Sequence, residues 1–247
     1  MKNRHLFSIE FAEEVKTYSR KDGLIALVFY LYCMVHSYLF ALLMFRTNVY
    51  DTIANWLHMG DTTLYQFLFY LPITILEVLP IFVIMRLRKQ SLKSIGLKKE
   101  KTLKSIFIGL VFSIPFIVPP VIIAIMQGKQ LASLPNLIWL FLFYFLIIGF
   151  AEELVFRGYL QTRLQGLIKG KWLSIVITGL LFTLTHIPFQ MVSRDLGLLE
   201  FIMTHGGMIL ITFPIHIYLV YIYTRDQNIL SVTITHTFIN LMGVIFI

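Results

Sequence analysis

The chain has 247 residues, 57% of them apolar and 14% charged, with a mean hydropathy of +0.78; a soluble core cannot enclose that much apolar surface, so an ordinary globular protein is excluded. The formal charge of +8 does not indicate a nucleic-acid module, because the Lys and Arg residues sit between apolar runs instead of on one soluble face. The single cysteine, Cys33, excludes an intramolecular disulfide and a cysteine metal cluster.

Residues 1–23 carry Phe7, Phe11, Glu13, Glu14 and Lys16 without an apolar run or a small-residue cleavage site. They are expected to form a cytoplasmic or interfacial segment with a short helix, not a cleaved signal. Leu24 to Phe45 and Leu64 to Met85 follow as an accessory transmembrane hairpin, which with a basic link occupies 24–104. The remaining 105–247 hold five more apolar runs: Ile106 to Met126, Leu137 through Glu152, Trp172 to Ile187, Met208 to Tyr223, and Ile229 to the end. Each is roughly long enough to cross ~30 Å of hydrocarbon. The fold class expected is therefore all-α, a polytopic integral membrane protein with about seven transmembrane helices.

Basic residues give the expected orientation. Lys2, Arg4, Lys16, Arg20 and Lys21 precede the first run, and eight Lys and Arg residues lie between Arg86 and Lys104, whereas the connection from Arg46 to Thr63 has one strong base and two aspartates. By the positive-inside rule both basic regions are cytoplasmic, so the amino terminus is inside and an odd number of crossings leaves Ile247 outside.

Ionisable groups inside apolar runs are the next signal, because each costs a few kcal/mol at bilayer depth unless it is paired or faces a polar cavity. In Ala151-Glu152-Glu153-Leu154-Val155-Phe156-Arg157-Gly158, Glu153 precedes Arg157 by four residues, so the two meet on one helix face and Glu152 stays free. Read alone, this is equally a solvated helix end. The following run carries His186, and a turn is expected over Gln165 to Lys171, so Glu152 and His186 are equally far from Lys169 along the sequence. In an antiparallel helical hairpin the two lie level, on the order of 20 Å from the turn. The last run adds His236 and Asn240 on one face at comparable depth. His36, His58, His205 and His216 lack such partners and read as structural or interfacial, His216 least securely because of nearby Pro214.

A carboxylate and an imidazole can hold and deprotonate a water, while a second imidazole and an amide can donate hydrogen bonds to a tetrahedral oxyanion. Together they suffice for peptide hydrolysis. The same Glu152, His186, His236 and Asn240 can instead bind a divalent metal such as zinc with a position open for water, although Asn is an uncommon zinc ligand. No His-Glu-x-x-His, Gly-x-Ser-x-Gly or Gly-x-Gly-Asp motif is present.

Glu152-Glu153-x-x-x-Arg157, Phe182-x-x-x-His186 and His236-x-x-x-Asn240, in this order in separate apolar runs, resemble the motifs of the CPBP family, also called the CAAX protease and bacteriocin-processing or Abi family. The resemblance covers roughly Leu137 to Ile247, and Gly158-Tyr159-Leu160-Gln161 extends the first motif. It implies an intramembrane endopeptidase in which Glu152 and His186 position water and His236 and Asn240 stabilise the oxyanion or complete a metal site. By the same resemblance Glu153 and Arg157 brace the helix, and Phe182 packs beside the site. The implied partners are the lipid bilayer and a membrane-associated peptide or protein, such as a bacteriocin or quorum-sensing peptide, in a bacterial plasma membrane.

Two alternatives remain open at this level. One is a non-enzymatic bacteriocin self-immunity or accessory membrane-binding protein, for which Glu152, His186 and His236 are dispensable. The other is a proton-coupled transporter, which would best explain Glu77 just before Pro80, but the sequence has no inverted repeat to support it.

Overall fold

The computed structural model describes residues 8–247, so Lys2, Arg4 and Phe7, used above, lie outside the described residues. Among the described residues six helices are long and apolar enough to cross a membrane, and a shorter apolar helix follows them. The chain is an all-α polytopic membrane protein, as its hydropathy implies. The crossing helices are α1 (Arg20–Arg46), α3 (Thr63–Leu87), α4 (Thr102–Met126), the run α5 (Leu134–Leu167), α6 (Lys171–Ser193) and the span Leu198–Asp226. That last span is two helices, α7 (Leu198–Leu210) and α8 (Thr212–Asp226), and α9 is Ile229–Leu241. A short α2 (Val49–Trp56) joins α1 to α3, and the expected N-terminal helix is a single 3-10 segment, Glu13–Thr17.

Local chemistry sets the helix ends. Ser19 caps α1 with a capping box, its hydroxyl accepting from the Asp22 amide while the Asp22 carboxylate accepts from the Ser19 amide at 2.9 Å. The same carboxylate receives the Arg88 guanidinium at 3.0 Å and the Gln90 amide at 2.9 Å, which fastens the start of α1 to the end of α3. Pro72 and Pro80 lie inside α3, and Pro115, Pro119 and Pro120 inside α4. Prolines are tolerated in membrane helices because neighbouring groups take up the freed carbonyls.

Helices α1 and α3 share a buried core with the back half of the chain. Phe29, Tyr30, Cys33, Ile81 and Met85 pack in one buried cluster with Leu154, Phe156, Tyr159 and Phe182. The Tyr30 hydroxyl donates to the Leu181 carbonyl at 3.1 Å. The basic connections gather at one end of the bundle: Arg163, fully buried, donates to Ser94 and Gln90, Lys171 donates to the Ile9 carbonyl, and Asn228 to the Lys98 carbonyl. At the other end Arg46 pairs with Asp195, and the last residues bond to the loop after α4, Ile247 to Gln130.

Helix α9 is the innermost, with every side chain from Ser231 to Thr237 buried. Two small residues admit it. Thr235 donates to the Gly109 carbonyl of α4 at 3.1 Å, and Gly149 of α5 lies so close to α9 that an added Cβ would sit 2.9 Å from Thr237 Oγ1 and 3.2 Å from the Thr233 carbonyl. Small-residue contacts of this kind let membrane helices approach without a hydrophobic driving force. A Gly149→Val substitution should destabilise the protein by about 1–3 kcal/mol through overpacking, read as a lower unfolding midpoint in detergent. An unchanged midpoint would show that α5 and α9 are not in this contact.

Candidate active site

Helix α5 is where the structure departs most from a regular helix. It runs as α-helix over Leu134–Leu142, widens to π-helix over Phe143–Phe150, returns to a short α turn at Ala151–Glu153, and widens again over Leu154–Leu160. Glu152 and Glu153 sit on the narrow turn between two wide ones, the setting in which π-helical segments often accompany functional sites. The apolar run expected to end at Glu152 continues to Leu167, which places both acids in the middle of the span and not at its solvated end. The turn to α6 occupies 168–170, inside the stretch anticipated from sequence.

Glu153 is wholly buried and holds two partners with one oxygen. Its Oε1 accepts from Arg157 Nη1 at 2.8 Å and from His236 Nδ1 at 2.6 Å. Arg157 is also fully buried, its guanidinium carbon 4.4 Å from the centre of the Phe182 ring, so the ring face supplies further stabilisation of the cation. The i, i+4 pairing expected of Glu153 and Arg157 is therefore present. The bond to His236, across 83 residues of sequence, is one that helix arithmetic cannot reveal.

A carboxylate bonded to Nδ1 fixes the His236 ring with that nitrogen as donor and turns Nε2 towards Glu152, whose Oε2 lies 3.8 Å away. Nε2 can donate to an oxyanion when the ring carries both protons. With Nδ1 alone protonated it presents a lone pair. His186 is fixed in a parallel way: its Nδ1 is 2.8 Å from the Phe182 carbonyl, which can only accept, so the neutral ring offers Nε2 as an acceptor. Phe182 locks both imidazoles, its ring edge-on to His186 at 5.0 Å and to His236 at 6.4 Å.

Glu152 and His186 line one cavity of about 350 Å³, whose other walls include His36, Ser37, Thr74 and Glu77 from α1 and α3. His236 stands beside Glu152 off that lining, and Asn240 is farther removed: its amide donates to the His236 carbonyl of its own helix at 3.3 Å. His216, on α8, is fully buried 5.8 Å from the Phe182 ring with neither nitrogen bonded. His205 stacks on Phe201, and His58 lies in a loop with a positive φ of 53°. His36, read from sequence as having no partner, faces the cavity. Its signal was the hydropathy of α1 alone, which cannot report helix rotation.

Residues 134–242 match the family model described as Type II CAAX prenyl endopeptidase Rce1-like. The match spans less than half of the chain and marks that segment as similar to the family. No curated protein and no solved structure matches the chain. At family level the match supports an intramembrane endopeptidase of the CAAX type, and the cavity lined by α1, α3, α5 and α6 holds Glu152 and His186. Among the described residues no three His, Cys, Asp or Glu side chains are grouped closely enough to hold a metal ion. Nδ1 of each imidazole is bonded to a protein acceptor, which leaves both Nε2 atoms open.

Because Glu153 is the counter-charge of a buried arginine, Glu153→Gln should cost about 3–5 kcal/mol, whereas Glu152→Gln, which removes no ion pair to Arg157, should cost far less. Unfolding in detergent or lipid measures the difference. Equal stabilities would show that Glu153 is not the clamp.

Proposed function

We propose that this protein hydrolyses a peptide bond in a membrane-associated peptide or protein, with Glu152 as the base that activates water. The observation that carries the reading is the common placement of Glu152 and His186 on one cavity wall with the Nε2 of His236 3.8 Å from Glu152. His186 Nε2 and the Glu152 carboxylate hold the water, and Glu152 takes one of its protons as the oxygen attacks the carbonyl carbon. The resulting oxyanion receives a hydrogen bond from doubly protonated His236, held in place by Glu153, with the Asn240 amide as a second donor once it turns from the His236 carbonyl. As the C–N bond breaks, the proton on Glu152 passes to the leaving amine, and the carboxylate is regenerated. Glu153, Arg157 and Phe182 position these groups and do not touch the reacting atoms.

In this reading the mechanism proceeds without metal, since Asn is an uncommon zinc ligand, and the Nδ1 bonds of His186 and His236 leave both Nε2 atoms open to the water. The basic connections at one end of the bundle support an orientation with that end and the amino terminus in the cytoplasm of a bacterial cell. A bacteriocin or quorum-sensing precursor is a substrate of suitable size and location.

Comparison of the peptides released from membranes carrying wild-type and Glu152→Gln protein tests this directly. Cleavage should fall by at least about 10³-fold, a typical loss when a catalytic proton acceptor is removed, while the variant stays folded. It should persist in wild-type protein treated with a zinc chelator. Full activity in Glu152→Gln would refute the assignment, and loss with chelator would restore the metal mechanism.

A further inference from the structure

The cavity contains a carboxylate that peptide hydrolysis, as described above, leaves unused. Glu77 lies on α3, outside the segment matched by the Rce1-like family model, and lines the cavity. Of the three glutamates well inside the membrane-spanning helices, Glu153 is held by Arg157 and His236, and Glu152 lies beside His236. Among the described residues no hydrogen bond or ion pair reaches Glu77. The acids and imidazoles that line the cavity with it are Glu152, His36 and His186.

No Lys or Arg lines this cavity. An acid in a low-dielectric site is costly unless an opposite charge reaches it, and two facing acids are costlier still. The protein places its buried cations elsewhere: Arg157 is committed to Glu153, and Arg163 to Ser94 and Gln90 near the basic end. Glu77 escapes that cost either by holding a proton or by meeting a cation, and in this cavity the cation can come only from whatever fills it. A volume of about 350 Å³ accommodates a few peptide side chains, and the remaining lining, with Phe40, Tyr70 and Phe189, suits the stem of a long side chain whose charged end is carried inward.

We infer that Glu77 is a specificity-determining residue that receives the ammonium or guanidinium group of a lysine or arginine next to the scissile bond of the substrate. This rests on the endopeptidase reading of the same cavity. The bound cation sits between Glu77 and the catalytic wall, so it both anchors the peptide and lets Glu77 ionise within the cavity. Glu77 thereby distinguishes basic from isosteric apolar substrates, while the bond-breaking groups remain those of α5, α6 and α9.

The test uses the full-length protein in lipid nanodiscs and a set of membrane-anchored peptides in which lysine, norleucine or glutamate is placed in turn at each position around the cleaved bond. At one position wild-type protein should cleave the lysine peptide with a kcat/KM at least about tenfold above that of the norleucine peptide, the discrimination a well-placed charge contact supplies. Glu77→Gln should bring that ratio close to one, and Glu77→Lys should shift the preference to glutamate. A wild-type panel with no position favouring lysine or arginine overturns the inference without recourse to any variant, as does a preference that Glu77→Gln leaves intact. If Glu152→Gln abolishes cleavage but the ratio ignores Glu77, only the inference falls. If wild-type protein cleaves none of the peptides, the endopeptidase reading falls and takes the inference with it.

Discussion

A buried arginine needs a counter-charge, and the one supplied here also holds the histidine of another helix. Glu153 bonds Arg157 on α5 and His236 on α9 through the same oxygen, so α5 and α9 are tied where hydrocarbon gives little driving force for association. Removing either partner would leave a charge in a medium that solvates it poorly. This tie fixes the rotation of α9, and with it the direction of His236 Nε2. Gly149 and the Thr233 and Thr237 side of α9 allow the approach that the bond requires.

The rest of the site follows from that clamp. Phe182 is packed between the arginine and both imidazoles, so α6 is drawn into register with α5 and α9, and His186 comes to the cavity wall with its Nδ1 satisfied by its own helix. Glu152, one residue before the clamp, is left on the adjacent face without an ion-pair partner from Lys or Arg. Helix phase separates the adjacent glutamates: one is held by Arg157 and His236, and its neighbour is turned to the cavity. The front hairpin completes the enclosure and contributes Glu77, a group that the shared catalytic segment lacks.

Much of this was legible in the residues. Hydropathy located the spans, because an apolar run of helical length has few alternatives in lipid. The i, i+4 spacing of Glu153 and Arg157 gave their pairing, and equal spacing about Lys169 anticipated that Glu152 and His186 would share a wall. Other features had no signal of that kind. The π-helical turns flanking Glu152 lie against α9 and α3, and nothing in Phe143–Phe150 marks them. The bond from His236 to Glu153 and the turn of His36 and Glu77 toward the cavity depend on the rotation of helices far apart in sequence. The continuation of α5 to Leu167 has no hydropathy signal, because Arg157, Gln161 and Arg163 are polar, yet all three are buried.

The account stands on the contact between Glu153 and His236. Solid-state NMR in lipid bilayers can measure it through dipolar dephasing between the side-chain carboxyl carbon of Glu153 and Nδ1 of His236, each selectively labelled. The prediction is strong dephasing at the separation that a 2.6 Å hydrogen bond imposes, with Nδ1 carrying the proton. Absence of dephasing at that range, in protein that remains folded, would separate α9 from the acids of α5 and contradict the site as described.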